Sequence, residues 1–398
     1  MRITTIYIDK PAEKYSESAS IIHNLQSLAA RAGRAGIPVI RVEDASAVYQ
    51  AVSGAPDSVE TGKQVLFLTT HNGRFLKPCP GTRYYRCCGY QILNIAGFCS
   101  LDCSYCILQA YFHPPVLQCY VNQADMFKEL DRVLGNTGRV MRIGTGEFTD
   151  SLIWNDVTDL TRRLIDRFSV QDRAVLELKT KTVNIEPLRR MTHNRKTIAA
   201  WSLNTETVIR TEERGSASLS QRLEAAAACE QMGYPLAFHF DPIILYDGCE
   251  AEYKAVIEHL FASVSPENVV WISLGTFRFM PALKPLIEDR FPSSTIAYGE
   301  FVAGMDRKMR YFKPLRIRIY KAIIAAIRAI APDVLVYFCM EDDEVWEKCM
   351  GFVPAEQGGL PAMLDQSAVA RCNLSAAPHI FIDESRDATV SSVNNPSK

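Results

Sequence analysis

Between about residues 89 and 290, short apolar segments of strand composition alternate with segments whose apolar residues are spaced as in helices. The strand candidates are YQILNI, RVMRIGT, AVLELKT, TIAAWSL, PLAFHFDP and NVVWISLG, with helical stretches such as IWNDVTDLTRRLIDRF and SLSQRLEAAAACEQMG between them. Strands that are apolar on both faces and separated by helices belong to a parallel sheet covered by those helices. Six such units are too few to close an eight-fold barrel. The expected fold class is therefore α/β, a partial (β/α)6 barrel over residues 76–290. A small α/β unit is expected at 1–75, where ITTIYI, IPVIRV and GKQVLFLTTH flank the helical spacing of IIHNLQSLAARAG. Residues 291–355 read as an α/β extension that completes the barrel, and residues 356–398 as a C-terminal segment ending in a disordered tail, SSVNNPSK.

Composition narrows the functional classes. An apolar fraction of 47% with 22% charged residues suits a globular chain that needs no membrane. No run approaches the roughly 18 apolar residues of a membrane span. MRITTIYIDKPAEKY alternates like a strand and lacks the apolar core of a signal peptide, so a cytoplasmic location is expected. In a reducing compartment the twelve cysteines point to metal ligation, redox chemistry or burial, not to disulfides. A net charge of −1 means that any contact with nucleic acid must come from a local patch.

Polar and special residues gather just after the strands: Gly144 to Glu147, Lys179 and Lys181, Ser202 and Asn204, His239 and Asp241. Ligands of parallel α/β folds bind at these carboxyl ends. After the first strand, GFCSLDCSYC brings Cys99, Cys103 and Cys106 within eight positions. A structural zinc site wants a fourth ligand at similarly short range, and a disulfide framework wants an even number of cysteines. Three thiolates on a [4Fe–4S] cluster instead leave one iron open to a small molecule.

The spacing resembles the signature of radical S-adenosylmethionine (SAM) enzymes, which implies that SAM chelates the open iron and is cleaved to a 5′-deoxyadenosyl radical. GTGE (Gly144, Gly146, Glu147) resembles the motif that receives the SAM amino group in such proteins. The glycines let main chain approach a ligand, and the carboxylate pairs with an ammonium. Lys179 or Lys181 then faces the SAM carboxylate, and Ser202 and Asn204 the ribose or carboxylate. His239 and Asp241 alternate about Phe240, share a strand face and are candidates for the pocket floor.

Over most of residues 63–350 the chain resembles the spore photoproduct lyase family of radical SAM enzymes. The resemblance is carried by GRFLKPCPGT, CCGYQILNIAGFCSLDCSYCILQAY, GTGEFTDSL, LELKTKTVNI, WSLNT, YPLAFHFDPII, WISLGTFRF and MRYFKPLR. It implies a lyase acting on a pyrimidine lesion in DNA, an electron donor of the flavodoxin or ferredoxin kind, and a radical-relaying tyrosine that Tyr105 matches. Two positions depart from the founding pattern. Ile107 follows the third cysteine where founding members have tyrosine, and Glu147 stands where they keep a hydrogen-donating cysteine. Cys87 and Cys88, in PCPGTRYYRCCGY, are candidates to replace that donor, while Cys339 and Cys349 read as structural. Arg307, Lys308, Arg310 and Arg316, with Tyr311 and Phe312 among them, form a candidate nucleic-acid surface. Two other readings stand beside lesion repair: the same radical chemistry on a modified nucleotide, peptide or metabolite, and a non-enzymatic iron–sulfur protein that binds DNA or a partner. The sequence leaves the oligomeric state open.

Overall fold

The computed structural model describes residues 2–82 and 84–375. Its largest sheet has eight strands, a curled half-barrel ordered Val336–Phe338, Val269–Thr276, Leu236–Ile243, Thr197–Ser202, Ala174–Thr180, Met141–Gly144, Gln91–Leu93 and Leu76–Pro78. All neighbours pair in parallel except Leu76–Pro78, which runs antiparallel to Gln91–Leu93. The central strands Thr197–Ser202 and Val269–Thr276 are buried at every position, as both-sided covering requires. Helices close the outer face, and their ends are set locally. Ser218 and Gln221 form a capping box at Leu219–Gln231, and Asp342 caps Asp343–Met350, which stops at Gly351 in the left-handed region.

A second sheet has five strands, ordered Val39–Val42, Thr5–Asp9, Val65–Thr69, Leu117–Tyr120 and Ala96–Gly97. Its first three strands come from residues 1–75. The last two come from either side of the cysteine loop, which therefore hangs between adjacent strands of this sheet. The helix Ser16–Arg31 lays Ile21, Leu25 and Ala29, one turn apart, into the core.

The edges of the half-barrel do not pair with each other. The segment from Cys79 to Tyr90 spans them, its Arg86 amide donating to the Glu341 carbonyl at 3.0 Å and its Arg86 guanidinium pairing with Asp343. From the helix Leu360–Arg371, Asp365 meets the buried Arg142 guanidinium at 2.7 Å, and Arg142 also donates to the Cys88 carbonyl. Residues 360–371 of the C-terminal segment are thus helical and packed, whereas SSVNNPSK lies outside the described residues. Among the described residues, no helix is long and apolar enough to cross a membrane.

Inside the half-barrel the Tyr90 hydroxyl is buried without a hydrogen-bond partner among the described residues. It fills the space in front of Gly144, where a Cβ would lie 1.4 Å from it. Gly144→Ala is expected to destabilise the fold by about 1–3 kcal/mol through overpacking. Tyr90→Phe, which removes an unsatisfied hydroxyl, should be close to neutral alone and should recover part of the Gly144→Ala loss. Urea denaturation of the two single variants and the double variant checks this; equal losses in both backgrounds would contradict it.

Candidate active site

The cysteine loop is pinned from the barrel side by residues 212–214. The Ser104 amide donates to the Glu212 carbonyl at 2.9 Å, and Cys103 and Asp102 pair in antiparallel register with Glu213 and Arg214. The Ser104 hydroxyl bonds the Glu212 carboxylate, and the Tyr105 hydroxyl donates to Glu213. Glu213 is also ion-paired at 2.5 Å with Arg222, whose other nitrogens donate to the carbonyls of Ser202 and Ala217. A fully buried charge pair persists only when its remaining donors are satisfied in this way.

So held, Cys99, Cys103 and Cys106 border one cavity of about 350 Å³, within the size range of small-molecule sites. Among the described residues no group of three or more His, Cys, Asp or Glu side chains is drawn together as a single-ion site. Three thiols bordering one cavity suit a [4Fe–4S] cluster, in which three irons each take one thiolate and the fourth stays open. Burial pushes the Cys99 thiol up to about 12 and raises Cys103 as well. Such thiols ionise once a metal ligates them.

The strand-end residues Gly146, Glu147, Asp150, Lys179, Lys181 and Ser202 form another part of the cavity wall. Glu147 lies 3.7 Å from Lys179 Nζ. Burial opposes the Lys179 charge, yet Glu147, Glu177 and Asp241 together raise its pKa. A Cβ on Gly146 would meet the Lys179 carbonyl at 2.9 Å, so close packing of this turn needs glycine. Lys181 lies over the Tyr105 ring, 5.6 Å from its centroid. This wall offers a carboxylate for an ammonium and two ammonium groups for a carboxylate, the complement of an amino-acid zwitterion.

Three expected binding residues have other work. Gly144 faces Tyr90, away from the cavity. Asn204 donates to the Pro242 carbonyl at 2.9 Å and accepts from Tyr253 and the Thr205 amide, all inside the fold. His239 lies 2.8 Å from Glu177 and 2.9 Å from the Ser273 hydroxyl inside the half-barrel. Glu177 is held below its ordinary pKa despite burial by His239, Lys179 and Arg142. Asp241 does reach the cavity, clasped by Arg278 at 3.0 and 3.1 Å.

Sequence reasoning missed Arg278 and Asp150. Asp150 accepts from Thr180 and from the amides of Lys181 and Leu152, while burial raises its pKa. The signal for both was position, two to six residues beyond a strand end within motifs already singled out.

Cys87 and Cys88 do not border the cavity. They belong to a group of thiols with Cys79 and Cys339, close enough to influence one another's charge. Cys339 accepts a hydrogen bond at 3.3 Å from Arg278, itself a cavity residue. A hydrogen bond from Cys88 lowers the Cys87 thiol to about 7, whereas Cys88, Cys79 and Cys339 are raised, the last two chiefly by burial.

The basic segment divides. Arg310 is buried, pairs with Asp306 at 2.8 Å and lies over the Tyr85 ring. Arg316 is buried against Glu341, and Tyr311 packs in a core with its hydroxyl accepting from the Leu245 amide. These three are used internally, because a helix and hairpin packed on the barrel must neutralise the charges they bury. Arg307 and Phe312 are exposed, and Lys308 lines the cavity.

The sequence matches the family model described as "Spore photoproduct lyase" over residues 86–322, more than half of the chain. It is 29% identical over 207 residues to the spore photoproduct lyase of Bacillus subtilis (strain 168), covering 51% of this chain and 60% of that protein. It is 27% identical over 212 residues to that of Geobacillus sp. (strain Y412MC61), covering 52% and 62%. The matches thus span about three-fifths of these relatives. Two solved structures share the fold: spore photoproduct lyase complexed with dinucleoside spore photoproduct, and a variant with bound AdoMet and the same dinucleoside. Each has TM-score 0.73 at 21% identity, over 84% of this chain and 98% of the other.

Iodoacetamide is expected to modify Cys87 ahead of Cys79, Cys88 and Cys339, at a rate that rises through pH about 7 as its thiolate forms. Cys88→Ala should move that midpoint upward by removing the hydrogen bond that favours the thiolate. Peptide mass spectrometry across a pH series checks both; a Cys87 midpoint at the ordinary thiol value would contradict this expectation.

Proposed function

The chain belongs to the spore photoproduct lyase family, and on that premise we propose that it is a radical SAM enzyme of the cytoplasm acting on a pyrimidine lesion in DNA. The observation that carries this reading is the shared cavity: three thiols of one loop line it together with Glu147, Lys179 and Lys181. Cys99, Cys103 and Cys106 would hold a [4Fe–4S] cluster. When bound there, cluster and SAM supply a 5′-deoxyadenosyl radical after one-electron reduction by a flavodoxin- or ferredoxin-like donor.

The chain's own residues do the rest. Glu147 receives the SAM ammonium, with Gly146 allowing close approach, and Lys179 or Lys181 receives its carboxylate. Tyr105, bordering the cavity and hydrogen-bonded to Glu213, is placed beside the thiols for a relay role. Return of hydrogen to the product radical falls to the thiol group of Cys79, Cys87, Cys88 and Cys339. Among these, Cys339 has a cavity residue, Arg278, as its hydrogen-bond partner. Lys308 at the cavity, with Arg307 and Phe312 outside it, are the remaining candidates for DNA contact. Ile107 and Glu147 favour a second reading, the same radical chemistry on another substrate.

Reconstituted anaerobically and reduced with dithionite, the protein should release 5′-deoxyadenosine from SAM, and Cys103→Ala should abolish the release. Adding dinucleoside spore photoproduct should yield restored thymine under the lesion reading. Deoxyadenosine without thymine would select the second reading, and neither product would reject both. Glu147→Ala should weaken SAM affinity about tenfold or more, from the loss of one charge-assisted bond, as measured by equilibrium binding. Unaltered affinity would reject the assigned role.

A further inference from the structure

Lys63, in the N-terminal unit, reaches the cysteine loop directly. Lys63 follows the short helix Ser58–Gly62 and is largely buried, with a side-chain exposure of 12%. Its ammonium donates to the carbonyl of Cys99 at 3.0 Å and also to the carbonyl of Leu101, lies 3.6 Å from Asp102, and sits over the Phe98 ring at 4.6 Å. All four residues belong to the loop that carries the thiols.

The surrounding charges make this contact more than a tether. Arg290, 6% exposed, lies 2.9 Å from Asp57 at the cap of the same short helix and 3.0 Å from Asp102, and it donates to Gln109 at 2.7 Å. Lys63 and Arg290 therefore balance Asp57 and Asp102 in one partly buried quartet. Removing the lysine charge leaves that quartet net negative against the loop, and a pair of carbonyls loses its donor. Added negative charge beside a cluster disfavours the electron it must accept, while hydrogen bonding and nearby charge set such potentials.

We propose that Lys63 is a positioning residue of the N-terminal unit that fixes the cysteine loop and raises the reduction potential of the cluster bound to it. This rests on the cluster reading above. A residue of the N-terminal unit thereby acts on the electron-accepting step.

The test uses the full chain with its reconstituted iron–sulfur cluster, titrated with a redox buffer and followed by electron paramagnetic resonance. In Lys63→Met the ratio of reduced to oxidised cluster at a fixed solution potential should fall about tenfold, equivalent to about 59 mV for one electron. Lys63→Arg, which keeps the charge, should hold the wild-type ratio. Independently of any cluster, hydrogen exchange of the 97–107 peptide should be faster in Lys63→Met than in wild type. An unshifted ratio in a fully loaded Lys63→Met protein overturns the electrostatic role, and unchanged exchange overturns the positioning role. If Lys63→Met does not fold, a Lys63→Arg protein with a tenfold lowered ratio overturns the proposal. Wild type that takes up no cluster rejects the proposed function itself, whereas a normal wild-type cluster with unshifted variants rejects only this inference.

Discussion

Three thiols can face one cavity only if a short, irregular loop is held rigid from every side, and much of the structure serves that requirement. The loop is slung between Ala96–Gly97 and Leu117–Tyr120, neighbours in the N-terminal sheet. From the barrel side, Glu212 and Glu213 bind its middle. From the other side, Lys63 takes its carbonyls. A loop has no ladder of its own to satisfy its buried backbone, so those groups must find partners in the surrounding elements. Here they find them in two sheets at once, and the expected boundary at residue 75 falls inside a shared sheet.

The same requirement explains the buried charges. Arg142 with Asp365 and Arg290 with Asp57 and Asp102 join elements distant in sequence, while Arg222 with Glu213 locks two neighbouring elements under the cysteine loop. Such pairs contribute little net stability, because desolvation offsets their attraction. Breaking one is costly, however, so they specify a single arrangement of the segments around the cavity. Their positions, beneath the cysteine loop and across the open edge of the half-barrel, are where an open sheet is least constrained by its own hydrogen bonds.

The wall formed by the strand ends is built for close approach. Gly146 admits main chain next to Lys179, Glu147 faces that lysine, and Asp150 anchors the next strand end through Thr180 and the Lys181 amide. Beyond this wall lies a thiol group that the chain assembles from the two edges of its sheet. Cys79 follows one edge strand, and Cys339 follows the other. The replacement of one expected thiol by Glu147 thus coincides with other thiols gathered nearby from separate segments.

By itself, the sequence determined the α/β alternation, the cysteine loop and the strand-end residues Gly146, Glu147, Lys179, Lys181 and Asp241. These depend on local periodicity and on the rule that strand ends carry function, both readable along the chain. Tertiary structure decided what local pattern cannot contain. It turned His239 and Asn204 inward because Glu177, Tyr253 and Pro242 wait there. It also used Arg310 and Arg316 on buried acids and brought Arg278 to the cavity. It carried Lys63 from the N-terminal unit to the thiol loop, 36 residues away in sequence. A charged side chain written in a sequence shows its charge but not its counter-ion. Only the packed fold supplies the partner, because burying a charge forces it to find one.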